Sequence, residues 1–188
     1  MGLYPDYPVT TERLRLRPFV RGDVDAVFAY RSRDDVALYL FDIGLSREDC
    51  VLAIQQRIVE VALEAEGDKI ILAVELIETG TVIGELSLIW RSVEDRQAEV
   101  GWIFNPDHHG RGYATEAARA LVDLAFRQGG MHRVMARCDA RNVSSMRLME
   151  RLGMRREAHF REHMQFKGRW DEEFIYAILD REWQGGVP

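Results

Sequence analysis

Cysteine is nearly missing from this chain of 188 residues: Cys50 and Cys138 are the only two, and they form no C-x-x-C pair. A disulfide framework or a zinc knuckle is therefore disfavoured as the source of stability, and two buried, reduced thiols are expected, with a single bridge between them as the alternative. Long apolar runs are lacking as well. No stretch approaches the roughly 18 apolar residues of a membrane span. The N-terminus, Met1-Gly2-Leu3-Tyr4-Pro5-Asp6, has no cationic start followed by an apolar run, so neither a span nor a secretory leader is expected and the default compartment is the cytoplasm. There is no repeat, low-complexity tract or Pro/Gly/Ser linker to divide the sequence. A single domain over residues 1–188 is expected, and at 47% hydrophobic residues it can bury a core without disulfides or a structural metal.

A net positive charge is also absent: 25 Lys+Arg stand against 31 Asp+Glu, giving −6 at pH 7. The average conceals a division. Residues 1–106 carry 11 basic and 19 acidic side chains (net −8), residues 107–170 carry 13 and 7 (net +6), and residues 171–188 carry 1 and 5 (net −4). Repulsion from the acidic portions opposes counterion release, so non-specific binding to nucleic acid is not expected. The cationic stretch suits a small polyanion held at one place.

Several segments have clear periodicity. Leu14 and Leu16 alternate with Arg13, Arg15 and Arg17, which predicts a strand with one buried face. Asp23 is placed to cap a short helix near 24–32, and Ser46-Arg47-Glu48-Asp49 resembles a capping box opening a helix to about Glu66, closed by Gly67. Lys69–Ile77 and Thr81–Trp90 are β-rich and separated by Glu78-Thr79-Gly80, a hairpin by composition, and Ala98–Phe104 completes a meander. Residues 113–128 show apolar positions at helical spacing up to Gly129-Gly130. Beyond them a strand over Arg133–Cys138, a helix over Ser144–Leu152 and two strands near 155–166 and 171–180, joined around Lys167-Gly168-Arg169, are expected. Antiparallel strands first and β-α-β-α-β later predict an α/β (α+β) architecture, a single mixed, mostly antiparallel twisted sheet with helices on both faces.

The most informative segment is Asn105-Pro106-Asp107-His108-His109-Gly110-Arg111-Gly112-Tyr113-Ala114-Thr115-Glu116. A strand ends, glycines permit tight backbone geometry, and a helix begins. Unpaired amides and the positive end of the helix both favour a phosphate there. A Rossmann fingerprint would need glycine where Thr115 stands, and a P-loop would need G-K-[ST]; neither is present. A turn that merely caps the helix is the plainer alternative.

The loop resembles the [QR]-x-x-G-x-[GA] signature of the GNAT N-acetyltransferases, with Gly112 and Ala114 in the small-residue positions and His109 departing from the usual Gln or Arg. Further words resemble the ribosomal-protein N-terminal acetyltransferase (Rim-type) branch: Thr11–Arg17, Val82–Glu85, Glu99–Trp102, Gly110–Ala117, Arg141–Met154 and Gly168–Asp171, in order over roughly residues 10–183. This resemblance implies a GNAT fold and a transfer of acetyl from acetyl-CoA to a primary amine by direct attack in a ternary complex. It implies that the backbones of Gly110, Arg111, Gly112, Tyr113, Ala114 and Thr115 hold the pyrophosphate, that Ile103 and Phe104 pair with the pantetheine arm, and that Asn142 hydrogen-bonds that arm. Asn142 and Ser145 also read as an ordinary helix N-terminus.

For catalysis, Glu99 is the expected base, with Glu85 and Glu162 as rivals, and Ser145 the expected proton donor to the thiolate, with Tyr176 a second candidate. Arg151 could approach a CoA phosphate. Trp90, Trp102, Trp170 and Trp183 are expected in the core or at the rim of an acceptor pocket. His159 and His163 would suit helical ligation of a metal, but a strand over 155–166 precludes it, and no metal is expected. The preferred acceptor implied is a protein N-terminal α-amine. Small amines (polyamines, amino acids, aminoglycoside-type compounds) and a non-catalytic CoA-binding regulatory module are the alternatives. Neither a nucleic-acid nor a membrane partner is expected, and a homodimer is common in the family. The acidic first half, Asp34, Asp35 and Asp42 included, is expected to contribute to the acceptor side.

Overall fold

The computed structural model describes residues 2–40, 44–166 and 168–184; Asp42 and Lys167 lie outside them. One eight-stranded mixed sheet forms the centre, in the order β1-β2-β3-β4-β5-β6-β8-β7. The strands are β1 (Val9–Thr10), β2 (Leu14–Pro18), β3 (Lys69–Leu76), β4 (Val82–Ser92), β5 (Gln97–Phe104), β6 (Arg133–Asp139), β7 (Arg155–Phe166) and β8 (Arg169–Leu179). The helices are α1 (Val24–Arg31), α2 (Asp34–Ala37), α3 (Arg47–Arg57), α4 (Tyr113–Arg127) and α5 (Val143–Arg151). No helix among the described residues is long and apolar enough to cross a membrane.

Local pattern accounts for the layering. Leu14 and Leu16 are fully buried in the larger core, which also contains Ala117, Leu121 and Leu148 from α4 and α5. Arg15 and Arg17 point to the other side, where both bind Glu75 and Arg17 also binds Asp23. On that side Phe19, Val27, Tyr30, Cys50 and Ile54 make a second cluster over Ala73 and Val82, fastening α1 and α3 to β3 and β4. Small residues on the buried face of α4 (Ala117, Ala118, Ala125) let the helix lie close to the sheet, while Leu121 and Leu124 fill the space between.

Two expectations are corrected. Asp23 does not cap α1; its carboxylate accepts instead from the Val20 N–H and from Arg17. The helix opened by the Ser46–Asp49 capping box ends at Arg57, not Glu66. The following residues are drawn into sheet-like contacts, with Leu63 bridging Leu3 and Val61 bridging Ile70, a use that suits β-branched Val59 and Val61 better than a helix does. Both cysteines are buried and free.

The only parallel strand pair among the described residues positions the site. β5 and β6 are paired at Gln97 with Arg133, Ala98 with Val134 and Glu99 with Met135, and there the pairing stops. Beyond it β5 stays with β4 up to Phe104, and β6 stays with β8 up to Asp139. The two strands part in the middle of the sheet.

Candidate active site

The parting of β5 and β6 leads into a cavity of about 820 Å³. Trp102, Ile103 and Phe104 line one wall, and Asn142, Ser144 and Ser145, delivered by the turn after β6, line another. The loop after β5 and the first turns of α4 close one end, and Asp35, Val36, Tyr39 and Leu40 contribute from α2 and the residues after it. Arg33 ties these two groups together, donating to Asp35 at 2.9 Å and to Asp107 at 2.9 Å.

The backbone geometry of the loop suits an anion. Asn105 accepts from the Asp107 N–H at 3.1 Å to start a short turn over Pro106–His108. Gly110 and Gly112 then take φ of +76° and +81°, values that side-chain-bearing residues adopt only at a cost. Gly112 is the N-cap of α4, and no side chain caps the helix there, so the amides of its first turn are left for a ligand at the positive end of the dipole.

A clamp holds this turn to the first long strand. Glu116 accepts at Oε1 from the Thr11 hydroxyl (2.6 Å) and the Arg13 N–H (2.8 Å), and at Oε2 from Arg13 Nε (2.7 Å). Arg13 Nη1 donates to the Arg111 carbonyl at 3.0 Å, and the guanidinium carbon lies 4.7 Å from the centre of the Tyr113 ring. Burial alone would push the Glu116 carboxyl up, but the bonds from Thr11 and Arg13 bring it below the usual range. The Thr11–Arg17 word thus has a structural purpose that its own sequence did not disclose.

At the opposite wall, Asn142 Oδ1 accepts from the Ser145 N–H at 3.0 Å, capping α5. The plainer reading of this residue is realised, and Asn142 also lines the cavity. Trp102 Nε1 donates to Ser145 Oγ at 3.2 Å, which occupies an acceptor site on the oxygen and leaves its O–H able to donate. Arg119, Arg147 and Arg151 add positive charge to the lining. Ser144, Arg147 and Arg151 fall at i, i+3 and i+7, so helical spacing could have identified Arg147 beside Arg151. Asp35 and Tyr39 carry no such signal, because a long-range approach brings them in.

Residues 13–155 match the family model described as Acetyltransferase (GNAT) domain. The chain belongs to the GNAT acetyltransferase family. It is 33% identical over 175 residues to the uncharacterized N-acetyltransferase YnaD of Bacillus subtilis (strain 168), covering 93% of this chain and 98% of that one. The solved GNAT-family acetyltransferase of Bacillus anthracis superposes with a TM-score of 0.81 at 31% identity, covering 97% of this chain and all of that one. Spermidine N-acetyltransferase from Vibrio cholerae, solved in complex with CoA and spermine, shares the fold at a TM-score of 0.77 and 22% identity over 92% of this chain and 98% of that one. The protein is thus an N-acetyltransferase of a family that uses acetyl-CoA, and its residues fit that molecule: two left-handed glycines, an uncapped helix N-terminus and three lining arginines suit its phosphates.

Within this acetyltransferase, Ile103, Phe104, Gly110, Gly112, Tyr113, Ala114, Thr115, Asn142 and Ser145 all line the cavity. Arg111 does not, its carbonyl being turned to Arg13. Glu99 also lies outside the lining residues. Its Oε2 accepts from Arg91 at 2.8 Å and its Oε1 from Arg137 at 3.1 Å. Glu85 is buried beneath α1 and α3, accepting from Tyr30 (2.8 Å), Arg57 (2.7 Å) and Arg31 (3.3 Å). Glu162 is exposed on β7, at φ +50° beside a break in the strand register. The Tyr176 hydroxyl donates to Glu150 at 3.5 Å. Of the four tryptophans, Trp90 is core, Trp102 lines the cavity, Trp170 is exposed, and Trp183 packs on Phe126.

Proposed function

We propose that this enzyme moves the acetyl group of acetyl-CoA directly to a primary amine in a ternary complex, with a protein N-terminal α-amine as the preferred acceptor. The observation that carries the reading is the meeting, in one cavity, of the amide-rich Gly110–Thr115 turn with the parted strands and the Ser145 hydroxyl. The ammonium first gives up a proton to water; the amine nitrogen then bonds to the thioester carbonyl carbon and loses its second proton to water as the carbon–sulfur bond breaks, and the departing thiolate takes a proton from Ser145, which regains one from that water. An N–H of β5 beside the carbonyl would stabilise the developing oxyanion. Glu99 is the carboxylate nominated for the amine proton, but it lies outside the cavity lining and both of its oxygens accept from guanidiniums, a pairing that suits a brace between β4, β5 and β6 better than a base.

The N-terminal acceptor rests on the Rim-type words. A small polyamine is the second reading, supported by the buried carboxylates described below and by the fold shared with the Vibrio cholerae spermidine enzyme. Thiol release from acetyl-CoA across N-terminal peptides, polyamines and aminoglycosides tests all of these together. Turnover with peptides favours the first reading and turnover with polyamines the second. Binding of CoA without any turnover would leave a non-catalytic CoA-binding module.

A further inference from the structure

Four carboxylates gather on the face of the sheet that carries α1 and α3, beyond the cover of those helices: Glu99 on β5, Asp139 on β6, and Asp171 and Glu173 on β8. All are at least nine-tenths buried, with Glu173 at 3% exposure and Asp171 at 7%. Two of them are satisfied, Glu99 by Arg91 and Arg137 and Asp139 by Arg141. The other two are not. Asp171 Oδ2 and Glu173 Oε1 are buried with no hydrogen-bond partner among the described residues. Glu173 has long ion pairs in place of hydrogen bonds, Oε1 with Arg137 Nη1 at 3.5 Å and Oε2 with His163 Nε2 at 3.5 Å.

A buried carboxylate oxygen without a donor is costly, and a protein of ordinary stability keeps one only for a reason. Asp171 and Glu173 are two apart on one strand, so they share a face with Cα atoms about 6–7 Å apart, and their carboxylates can converge on one ammonium with its three N–H donors. Their place connects them to the chemistry. Glu173 is the cross-strand partner of Asp139, and the Ala140 N–H donates to the Glu172 carbonyl at 2.8 Å, immediately before the chain turns to deliver Asn142 and Ser145 into the cavity. The cover is movable: the side chains of Arg137 and His163 are 40% and 31% exposed.

We propose that Asp171 and Glu173 form the subsite for the ammonium group of the acceptor, a proposal that rests on the acetyl-transfer reading above. The cation enters as Arg137 and His163 swing outward, and takes Asp171 Oδ2 and the Glu173 oxygen that Arg137 vacates. Burial pushes the Glu173 carboxyl up, with Asp171 and Glu99 adding to the rise against Arg137 and His163, as befits a carboxylate whose counter-ion arrives from outside.

The test is a calorimetric titration of CoA-saturated protein with spermidine in one arm and an N-terminal alanyl tripeptide amide in the other, for wild type, E173Q and D171N. At least one amine should bind the wild type, and the arm in which it does identifies the source of the ammonium. E173Q should weaken that binding at least tenfold, leave CoA affinity unchanged and melt no lower than wild type, since the carboxylate removed is buried while its partners Arg137 and His163 are part-exposed and stay solvated. Failure of both amines to bind the wild type would overturn the proposal, as would undiminished binding by both variants. A loss of binding accompanied by a lower Tm in E173Q and D171N alike would reveal a structural role and overturn it too. If CoA binds and thiol release persists in those cases, acetyl transfer stands without this subsite; if neither is seen in the wild type, the acetyl-transfer reading has failed.

Discussion

The indole N–H of Trp102 reaches the Ser145 hydroxyl across 3.2 Å, joining the free end of β5 to the first turn of α5. The bond holds the hydroxyl oxygen in the cavity wall beside the parted strands and leaves its O–H able to donate. Ser145→Ala should therefore reduce kcat by roughly 10²-fold, in the range typical of a lost proton donor, with acetyl-CoA affinity within about threefold of wild type. Trp102→Phe, which keeps the hydroxyl but frees its rotor, should cost less. Steady-state rates with a separately measured Kd check both.

Arg13 and Glu116 hold the anion-binding turn from outside it. Arg13→Ala and Glu116→Gln should each raise KM for acetyl-CoA by about tenfold, or about 1.4 kcal/mol, without altering KM for the amine. Because both act through one clamp, the double variant should be little worse than either alone, a non-additivity that a double-mutant cycle measures.

The same carboxylate gives a pH dependence of definite sign. Glu116 has its folded-state value lowered from 4.5, so the stability it contributes is present above the ordinary carboxylate value and is lost as pH falls through the lower folded value. Wild type should lose stability on acidification in this window, and Glu116→Gln should show a shallower acid limb. Thermal unfolding of the two proteins between neutral pH and about pH 3 provides the check.

Gly112→Ala should damage the turn directly. At φ +81° an added Cβ is disfavoured by about 1–2 kcal/mol, and it would lie 3.4 Å from Arg13 Nη2. Weakened acetyl-CoA binding with the amine KM unchanged is expected, measured by calorimetry and steady-state kinetics.

Glu99→Gln separates brace from base. With Arg91 and Arg137 deprived of a carboxylate, Tm should fall while turnover drops less than tenfold. A rate loss of 10² or more at unchanged Tm would restore Glu99 as the base.

The parts of the molecule that local pattern controls were legible in the residues. Leucine–arginine alternation in β2, the spacing of α4, and the glycines at 110 and 112 each encode a geometry within a few positions. The cavity wall from Ile103 to Thr115 followed from the same kind of information, aided by the family words. What stayed hidden depends on distant partners. Asp23 reads as a cap until Arg17 claims it, and the α3 boundary is moved from Glu66 to Arg57 by pairing of later residues with Leu3 and Ile70. The guanidiniums of Arg91 and Arg137 on the two oxygens of Glu99 come from 8 and 38 positions away, where no short word reveals them. The isolation of Asp171 and Glu173 is likewise a property of the packed sheet and not of any short word.

The central claim, direct transfer of acetyl to an amine at the parted strands, is tested most directly by rapid mixing of the enzyme with acetyl-CoA, with and without amine, while thiol release is followed. Thiol should appear only when amine is present, with no burst of about one equivalent in its absence. A burst before amine is added would show an acetylated enzyme and contradict direct attack, and thiol release that no amine accelerates would contradict amine acetylation itself.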